Sequence, residues 1–398
     1  MLSLCRGLLA GLLVAGLAAL CLNPTTVGAQ DKKDPKAKTA KEEVADRSAS
    51  FTTSDGLSLK GYWFPGVGAA AVRPDAVIMV PSPGNKITEP WIWLAKALSE
   101  KNFSVLLFDW RGTGLNGPGP DGSGVNIFDD KTRFWAEGYN NALLKSSMSL
   151  IDKKGLDYTK QLSSAGTTRA RYRDFMFMND LQAARFYIDQ QNDDQKTNSN
   201  RIWIVSEKEG SHLAMAFIAA EFQRGANYEV RNNFFDFNQE FTPAGKDYVG
   251  MMSFSYSTGG TAGQAASKIF ANALPSMGEN KAVVQAKEHL RDHMGLVLMY
   301  GKNDGAASRG LLNSLGVTTV VEADLKEKNK YPKEFDLKAK KPISGIDMID
   351  PTDSAKVREY VVFAMEAIRK KQGQRAPTTR EAKNSKTTPR FPAEKFLR

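Results

Sequence analysis

The histidines of this chain are His212, His289 and His293, and none follows residue 293. Imidazole is the side chain that most often acts as a general base near neutral pH. Ser211 precedes His212, but adjacent residues on a helix do not face each other, so a catalytic Ser–His pair is not favoured here. Ser211 is instead predicted to cap the helix that contains His212.

His289 and His293 are spaced i, i+4 on a predicted helix, which is a spacing compatible with metal binding. Glu288 is misplaced for a His-Glu-x-x-His motif, and no third ligand is evident. The favoured interpretation is a solvated helical face. The sequence therefore predicts no metal site and no cofactor.

A second group of reactive side chains surrounds Lys208, in the segment Ser206-Glu207-Lys208-Glu209-Gly210. A sharp turn from a strand into a helix needs small residues two positions before and two after its centre, and Ser206 and Gly210 meet that need. A lysine amine is a nucleophile when burial suppresses its charge. Glu207 and Glu209 favour the charged form, so structural pairing or exposure is the favoured role of Lys208.

The elements that must position these side chains are predicted from short apolar runs that alternate with helical patterns. Such alternation is typical of a parallel sheet covered on both faces. Buried strands are predicted at 76–80, 104–108, 202–205, 249–254 and 296–300, an antiparallel hairpin at 51–64, and helices at 91–101, 175–191, 211–224 and 354–371. The glycine-rich start of 115–162 suggests a lid-like insertion that overhangs the site.

Several motifs resemble those of α/β-hydrolases in their usual order. The apolar run ending at Val80 and the motif Asp109-Trp110-Arg111-Gly112-Thr113-Gly114 resemble the third strand and the Asp-x-Arg-Gly-x-Gly loop of that superfamily. The segments 201–214, 296–304 and 344–348 are similar to its nucleophile elbow, acid-bearing strand and histidine loop. The resemblance implies an α/β-hydrolase fold over residues 51–370: a mostly parallel twisted sheet flanked by helices, with a lid-like insertion.

The resemblance also implies where a catalytic triad should lie. The equivalent positions hold Lys208, Asp304 and Ser344, and a serine at the histidine position cannot act as a general base near neutral pH. One oxyanion donor should be the backbone N–H of Ser82 or Pro83, and proline has no N–H to donate. No intact triad is therefore predicted.

The leading hypothesis is a pseudohydrolase: a catalytically inactive protein with a binding or scaffold role for a small-molecule or peptide ligand. The alternative is an active esterase or peptidase with a displaced nucleophile (Ser206, Ser211 or Ser82), and with His212 or a carboxylate as base. A second alternative is an envelope-interaction protein that binds an anionic surface through its basic C-terminal tail.

Residues 1–29 carry a single charge, Arg6, and end in small residues before Gln30, which is typical of a signal peptide cleaved near Ala29. The protein is therefore predicted to be exported, to the periplasm or outside the cell, without a membrane span after cleavage. Both cysteines, Cys5 and Cys21, lie in this leader, so the mature chain should contain neither disulfides nor thiolate ligands.

Two flanking segments are predicted to lack fixed structure: a flexible linker at 30–50 and a basic disordered tail at 371–398. The formal charge of the chain is +10, but residues 370–398 hold nine basic against two acidic residues. The part predicted to fold is nearly neutral. Its charge therefore does not indicate a nucleic-acid partner.

Overall fold

The computed structural model describes residues 44–54, 56–68, 72–119, 122–123, 167–222, 224, 243–257, 289, 293–300, 344–349, 355–385 and 388. These residues belong to one compact unit, Ala40–Arg398. The predicted signal peptide, most of the lid-like insertion, Asp304 and the end of the predicted tail lie outside the described residues. Within the described ranges, no helix combines the length and the apolar character needed to cross a membrane.

Seven strands of the described residues form one mixed sheet. They are β1 (Ser48–Thr52), β2 (Ser58–Phe64), β3 (Asp75–Val80), β4 (Phe103–Phe108), β5 (Asn198–Glu207), β6 (Tyr248–Phe254) and β7 (Gly295–Met299). Their order across the sheet is β1-β2-β4-β3-β5-β6-β7. β2 pairs antiparallel with both of its neighbours, and every pairing from β4 through β7 is parallel.

In the described part of the chain, four helices cover the two faces of the sheet: α1 (Glu89–Glu100), α2 (Thr167–Asp193), α3 (Lys208–Glu221) and α4 (Ala355–Gln372). Side chains alternate along each strand. Thus Ile78 packs in the core with α2 and α3, whereas its neighbours Val77 and Met79 pack in the core with α1 and α4. Because both faces are buried, the middle parts of the central strands are mostly apolar.

The predicted fold class is confirmed, and the hairpin, the five buried strands and the four helices predicted at 91–101, 175–191, 211–224 and 354–371 each have a counterpart in the described part of the chain. The predicted helix that carries His289 and His293 lies mostly outside the described residues. The observed ends of helices and strands differ most from the predicted ends where polar residues extend the element. Helix α2 begins at Thr167, eight residues before its predicted start, and β5 begins at Asn198, four residues before its predicted start.

The folded domain also begins earlier than the sequence predicts. Val44 is fully buried, and β1 starts at Ser48, inside the segment predicted to be a flexible linker. The guanidinium of Arg47 lies over the ring of Phe64, 5.0 Å from its centroid. Pairing with β2 satisfies the backbone of this short polar segment, so it needs few apolar side chains of its own.

Residues 373–385 form what we call the C-terminal strap, which differs from the disordered tail predicted from residue 371. The backbone carbonyl oxygens of Arg375 and Thr378 accept hydrogen bonds from Asn198 and Asn192, both at 2.8 Å. The backbone N–H of Arg380 donates to Asp193 Oδ1 at 2.7 Å. Polar side chains near the amino ends of the strands thus satisfy the strap's backbone, which an apolar pattern does not reveal.

Candidate functional site

The turn between β5 and α3 lies at the carboxyl edge of the sheet and places Lys208 at its tip. Lys208 has a φ of +47°, a left-handed backbone conformation that residues other than glycine, asparagine and aspartate seldom adopt. A Cβ added to Gly210 would lie 2.6 Å from the carbonyl oxygen of Pro81, so that position requires glycine. The segment therefore has the geometry of a nucleophile elbow, with an amine at its centre.

The Lys208 side chain is half-buried. Among the described residues, no hydrogen bond or ion pair holds its amine. Its Cε is 3.1 Å from the position that a Cβ on Gly345 would take. Lys208 thus lies against the loop that carries Ser344, while Asp304 falls outside the residues that the structure describes.

Three serine hydroxyls form a buried chain beneath the elbow. Ser206 Oγ is 3.1 Å from Ser211 Oγ, which is 2.7 Å from Ser253 Oγ. None of the three residues is exposed to solvent. These hydrogen bonds fasten the first turn of α3 to β5 and β6, and they place two of the predicted alternative nucleophiles, Ser206 and Ser211, below the surface of the site.

Glu207 is the residue that organises this edge of the sheet. Its side chain is buried, and Oε1 accepts hydrogen bonds from the backbone N–H of Ser82 at 3.2 Å and from Nδ2 of Asn85 at 3.0 Å. Oε2 accepts from the backbone N–H of Ile346 at 2.8 Å. The Ser82 donor that the sequence predicts for an oxyanion is therefore already bound to a carboxylate. The adjacent Pro83 has no N–H.

The loop that carries Ser344 is fixed against the same carboxylate. Gly345 has a φ of +68°, and a Cβ added to it would lie 2.2 Å from Glu207 Oε2. Its N–H donates to Ser255 Oγ at 2.9 Å. The structure thus places Glu207, rather than an imidazole, between the oxyanion loop and the expected histidine loop.

His212 is also buried close to the elbow. Its Nδ1 is hydrogen-bonded to the hydroxyl of Tyr256, and burial raises the pKa of Tyr256 above its ordinary value. The hydroxyl therefore keeps its proton at neutral pH. The structure adds a phenol beside His212 that the sequence did not suggest.

The sequence favours a solvated helical face for His289, but the structure does not place it on one. It is buried, and its Nε2 donates to the backbone carbonyl of Tyr248 at 2.7 Å. Burial lowers the pKa of His289 to about 4, so the ring is neutral at pH 7. His293 is exposed, and its ring centroid lies 5.8 Å from that of His289. The described residues contain no group of three or more side chains suited to hold a metal ion.

Asp109, from the Asp-x-Arg-Gly-x-Gly motif, connects two loops that border the site. Its Oδ1 accepts from the N–H of Ile87 at 2.7 Å, and its Oδ2 accepts from the N–H of Leu115 at 2.8 Å. Burial is the main cause that raises the pKa of Asp109 to about 6. The carboxyl group therefore joins the end of the oxyanion loop to the start of the predicted insertion.

The sheet order, the antiparallel second strand and the elbow after β5 define an α/β-hydrolase fold. No protein-family model and no curated protein matches the sequence. The class is therefore defined by the strand topology and by the elbow.

Solved structures with some likeness include hydrolases. The Pyrococcus horikoshii acylaminoacyl peptidase aligns with 68% of this chain and 35% of its own, at 11% identity and a TM-score of 0.34. Esterase Est22 aligns over 81% and 82%, at 11% identity and a TM-score of 0.40. The Pyrococcus furiosus esterase PF2001 aligns over 80% and 90%, at 14% identity and a TM-score of 0.37. This chain thus spans about a third of the length of the peptidase.

Proposed function

We propose that this protein is a pseudohydrolase, whose site at the carboxyl edge of the sheet binds a small-molecule or peptide ligand without turning it over. The observation that carries this proposal is the Glu207 carboxylate on the Ser82 N–H. Acyl transfer develops negative charge at the oxyanion donors, and a carboxylate already bound there repels that charge.

The other positions that acyl transfer needs support the same conclusion. Lys208 has the backbone geometry of a nucleophile, but the acidic residues Glu207 and Glu209 flank it in the sequence. Ser344 is no base, and the loop that carries it is held to Glu207 by the N–H of Ile346. Nucleophile, base and oxyanion site are thus all altered together.

The test uses purified protein from residue 30 onward, a panel of ester and amide substrates, and a fluorophosphonate probe for activated serines. We expect no turnover above background, and the same background in Lys208→Ala and Ser344→Ala. Turnover that one of these substitutions, or Glu207→Ala, abolishes would overturn the proposal.

The alternative of a displaced serine nucleophile is disfavoured by burial. Ser206 and Ser211 are fully buried, and their hydroxyl groups are hydrogen-bonded to each other. Ser82 is 6% exposed. Stoichiometric probe labelling, lost in Ser206→Ala, Ser211→Ala or Ser82→Ala, would establish the alternative instead.

Export with attachment to an anionic envelope surface is a further proposal, which rests on the leader and on exposed lysines near the strap. Lys370, Lys371 and Lys383 are exposed, whereas Arg380 is buried in the fold. Sequencing the mature protein should find an amino terminus near Gln30. Replacing the three lysines by glutamine should weaken binding to anionic vesicles but not to neutral ones, and unchanged binding would exclude this role.

A further inference from the structure

Three N–H donors from two separate segments of the chain converge on the Glu207 carboxylate. Ser82 and Asn85 follow β3, and Ile346 lies in the loop before α4. The distances of 3.2, 3.0 and 2.8 Å are those of hydrogen bonds, and bonds to an ionised acceptor are the stronger kind. Such an arrangement has the donor chemistry of a carboxylate-binding site.

The shape of the site fits the same group. A side chain at Gly345 would place its Cβ 2.2 Å from Glu207 Oε2, so the absence of a side chain there makes room for the carboxylate. The aliphatic end of Lys208 lies beside the same glycine, which puts a cationic residue at the border of the site.

We propose that these groups form a carboxylate-binding site, that Glu207 occupies it as an internal ligand, and that carboxylate-bearing molecules are the ligand class that it accepts. The inference deepens the proposed function and rests on it, because it assumes that the site binds a ligand without turning it over. Because Glu207 is tethered beside the donors, its effective concentration exceeds that of a free acid. The site is therefore closed until Glu207 is displaced.

The test removes the internal ligand and supplies an external one. Glu207→Ala should unfold at a lower temperature than the wild type because it leaves the buried N–H groups of Ser82 and Ile346 unpaired, together with the more exposed amide of Asn85. Sodium acetate or formate should then raise its Tm saturably, by about 3 °C more than sodium chloride at equal ionic strength. Wild type should respond to acetate as it does to chloride. An acetate response of Glu207→Ala no larger than its chloride response overturns the inference.

Two further variants make the result specific. Glu207→Gln keeps the side-chain volume, so its site stays filled and acetate should give no added shift. Glu207→Ala with Asn85→Ala should bind acetate roughly tenfold more weakly, as expected for one lost hydrogen bond to a charged group. Equal acetate responses in all three variants would contradict a site at these residues.

If Glu207→Ala does not fold alone, refolding yield replaces Tm as the measurement. Yield that rises with formate but not with chloride supports the inference, and yield indifferent to formate overturns it. Ester hydrolysis by the wild type would refute the proposed function without altering the acetate result. The two failures are therefore distinguishable.

Discussion

Arg380 of the C-terminal strap and Asp247, just before β6, form a buried ion pair, with Nη2 of the arginine 2.8 Å from Oδ1 of the aspartate. The other carboxylate oxygen of Asp247 is 2.7 Å from Arg185 of α2, which also pairs with Asp189 at 2.8 Å. The strap thus supplies one charge to a buried network that joins a helix to the amino edge of the sheet.

Removing that charge should destabilise the protein strongly. Arg380→Ala leaves Asp247 buried with one partner fewer, and we expect the free energy of unfolding to fall by about 3–5 kcal/mol in urea titrations. Lys383→Ala is the matched control, because Lys383 is in the same strap and half-exposed, and it should cost less than about 1 kcal/mol. Equal effects of the two variants would show that the strap is not part of the folded core.

The elbow strain predicts an inverted ranking of glycine and alanine at residue 208. In an ordinary helix, glycine is less stable than alanine by about 0.5–1 kcal/mol. At a φ of +47°, Lys208→Gly should instead be more stable than Lys208→Ala by about 1 kcal/mol. Thermal unfolding of both variants measures the difference, and the ordinary ranking would contradict the elbow geometry.

Gly345 and Gly373 form a matched pair for testing the packing against Glu207. Both have positive φ, +68° and +69°, but an added Cβ meets Glu207 Oε2 only at Gly345 and open space at Gly373. Gly373→Ala should therefore cost about 1 kcal/mol from backbone strain alone. Gly345→Ala should cost at least about 2 kcal/mol more in urea unfolding. Similar costs would show that Glu207 does not lie against this loop.

Asp109 should make stability depend on pH in the direction opposite to a salt-bridged carboxylate. Its pKa is raised from 3.8 to about 6 in the folded protein, so the folded state binds more protons than the unfolded state between those values. Its contribution is therefore lost as the pH rises through this window, by up to about 3 kcal/mol.

The measurement compares unfolding free energies of the wild type and Asp109→Asn between pH 4 and pH 7. Because other carboxylates titrate in both proteins, the difference between the two curves isolates Asp109. We expect the wild type to lose stability relative to Asp109→Asn as the pH rises. A constant difference would contradict the raised pKa.

The sheet and its helices follow from the sequence because burial on two faces leaves a strong signal. β3 and β4 are fully buried, and their apolar runs mark them without ambiguity. The turn at Lys208 was equally visible, since small residues at 206 and 210 are a steric requirement of that geometry.

The role of Glu207 could not be derived in this way. The sequence shows that Glu207 is next to Lys208 and suggests that its carboxylate affects the charge of the lysine. The partners of Glu207, however, depend on the direction in which its side chain points. Glu207 is the last residue of an extended strand, where consecutive side chains point to opposite sides. Its donors lie 125, 122 and 139 residues away along the chain. Only the folded chain brings them together.

The sequence does not predict the ordered strap, for a related reason. Its arginines, threonines and other polar residues have the composition of a solvated tail, and its stability comes from hydrogen bonds to Asn192, Asp193 and Asn198 rather than from apolar burial. His289 is a similar case, because a ring nitrogen bonded to a backbone carbonyl leaves no pattern in the sequence.

The path of the strap bears on how the protein is to be produced. A recombinant fragment that stops where α4 ends, at Gln372, would expose the Asp247 carboxylate and the amino end of β5. Affinity tags and fluorescent fusions attached there would replace a structural element instead of extending a free end. Expression boundaries should therefore include residue 388, whose hydroxyl reaches back to the carbonyl of Thr52 in the first strand.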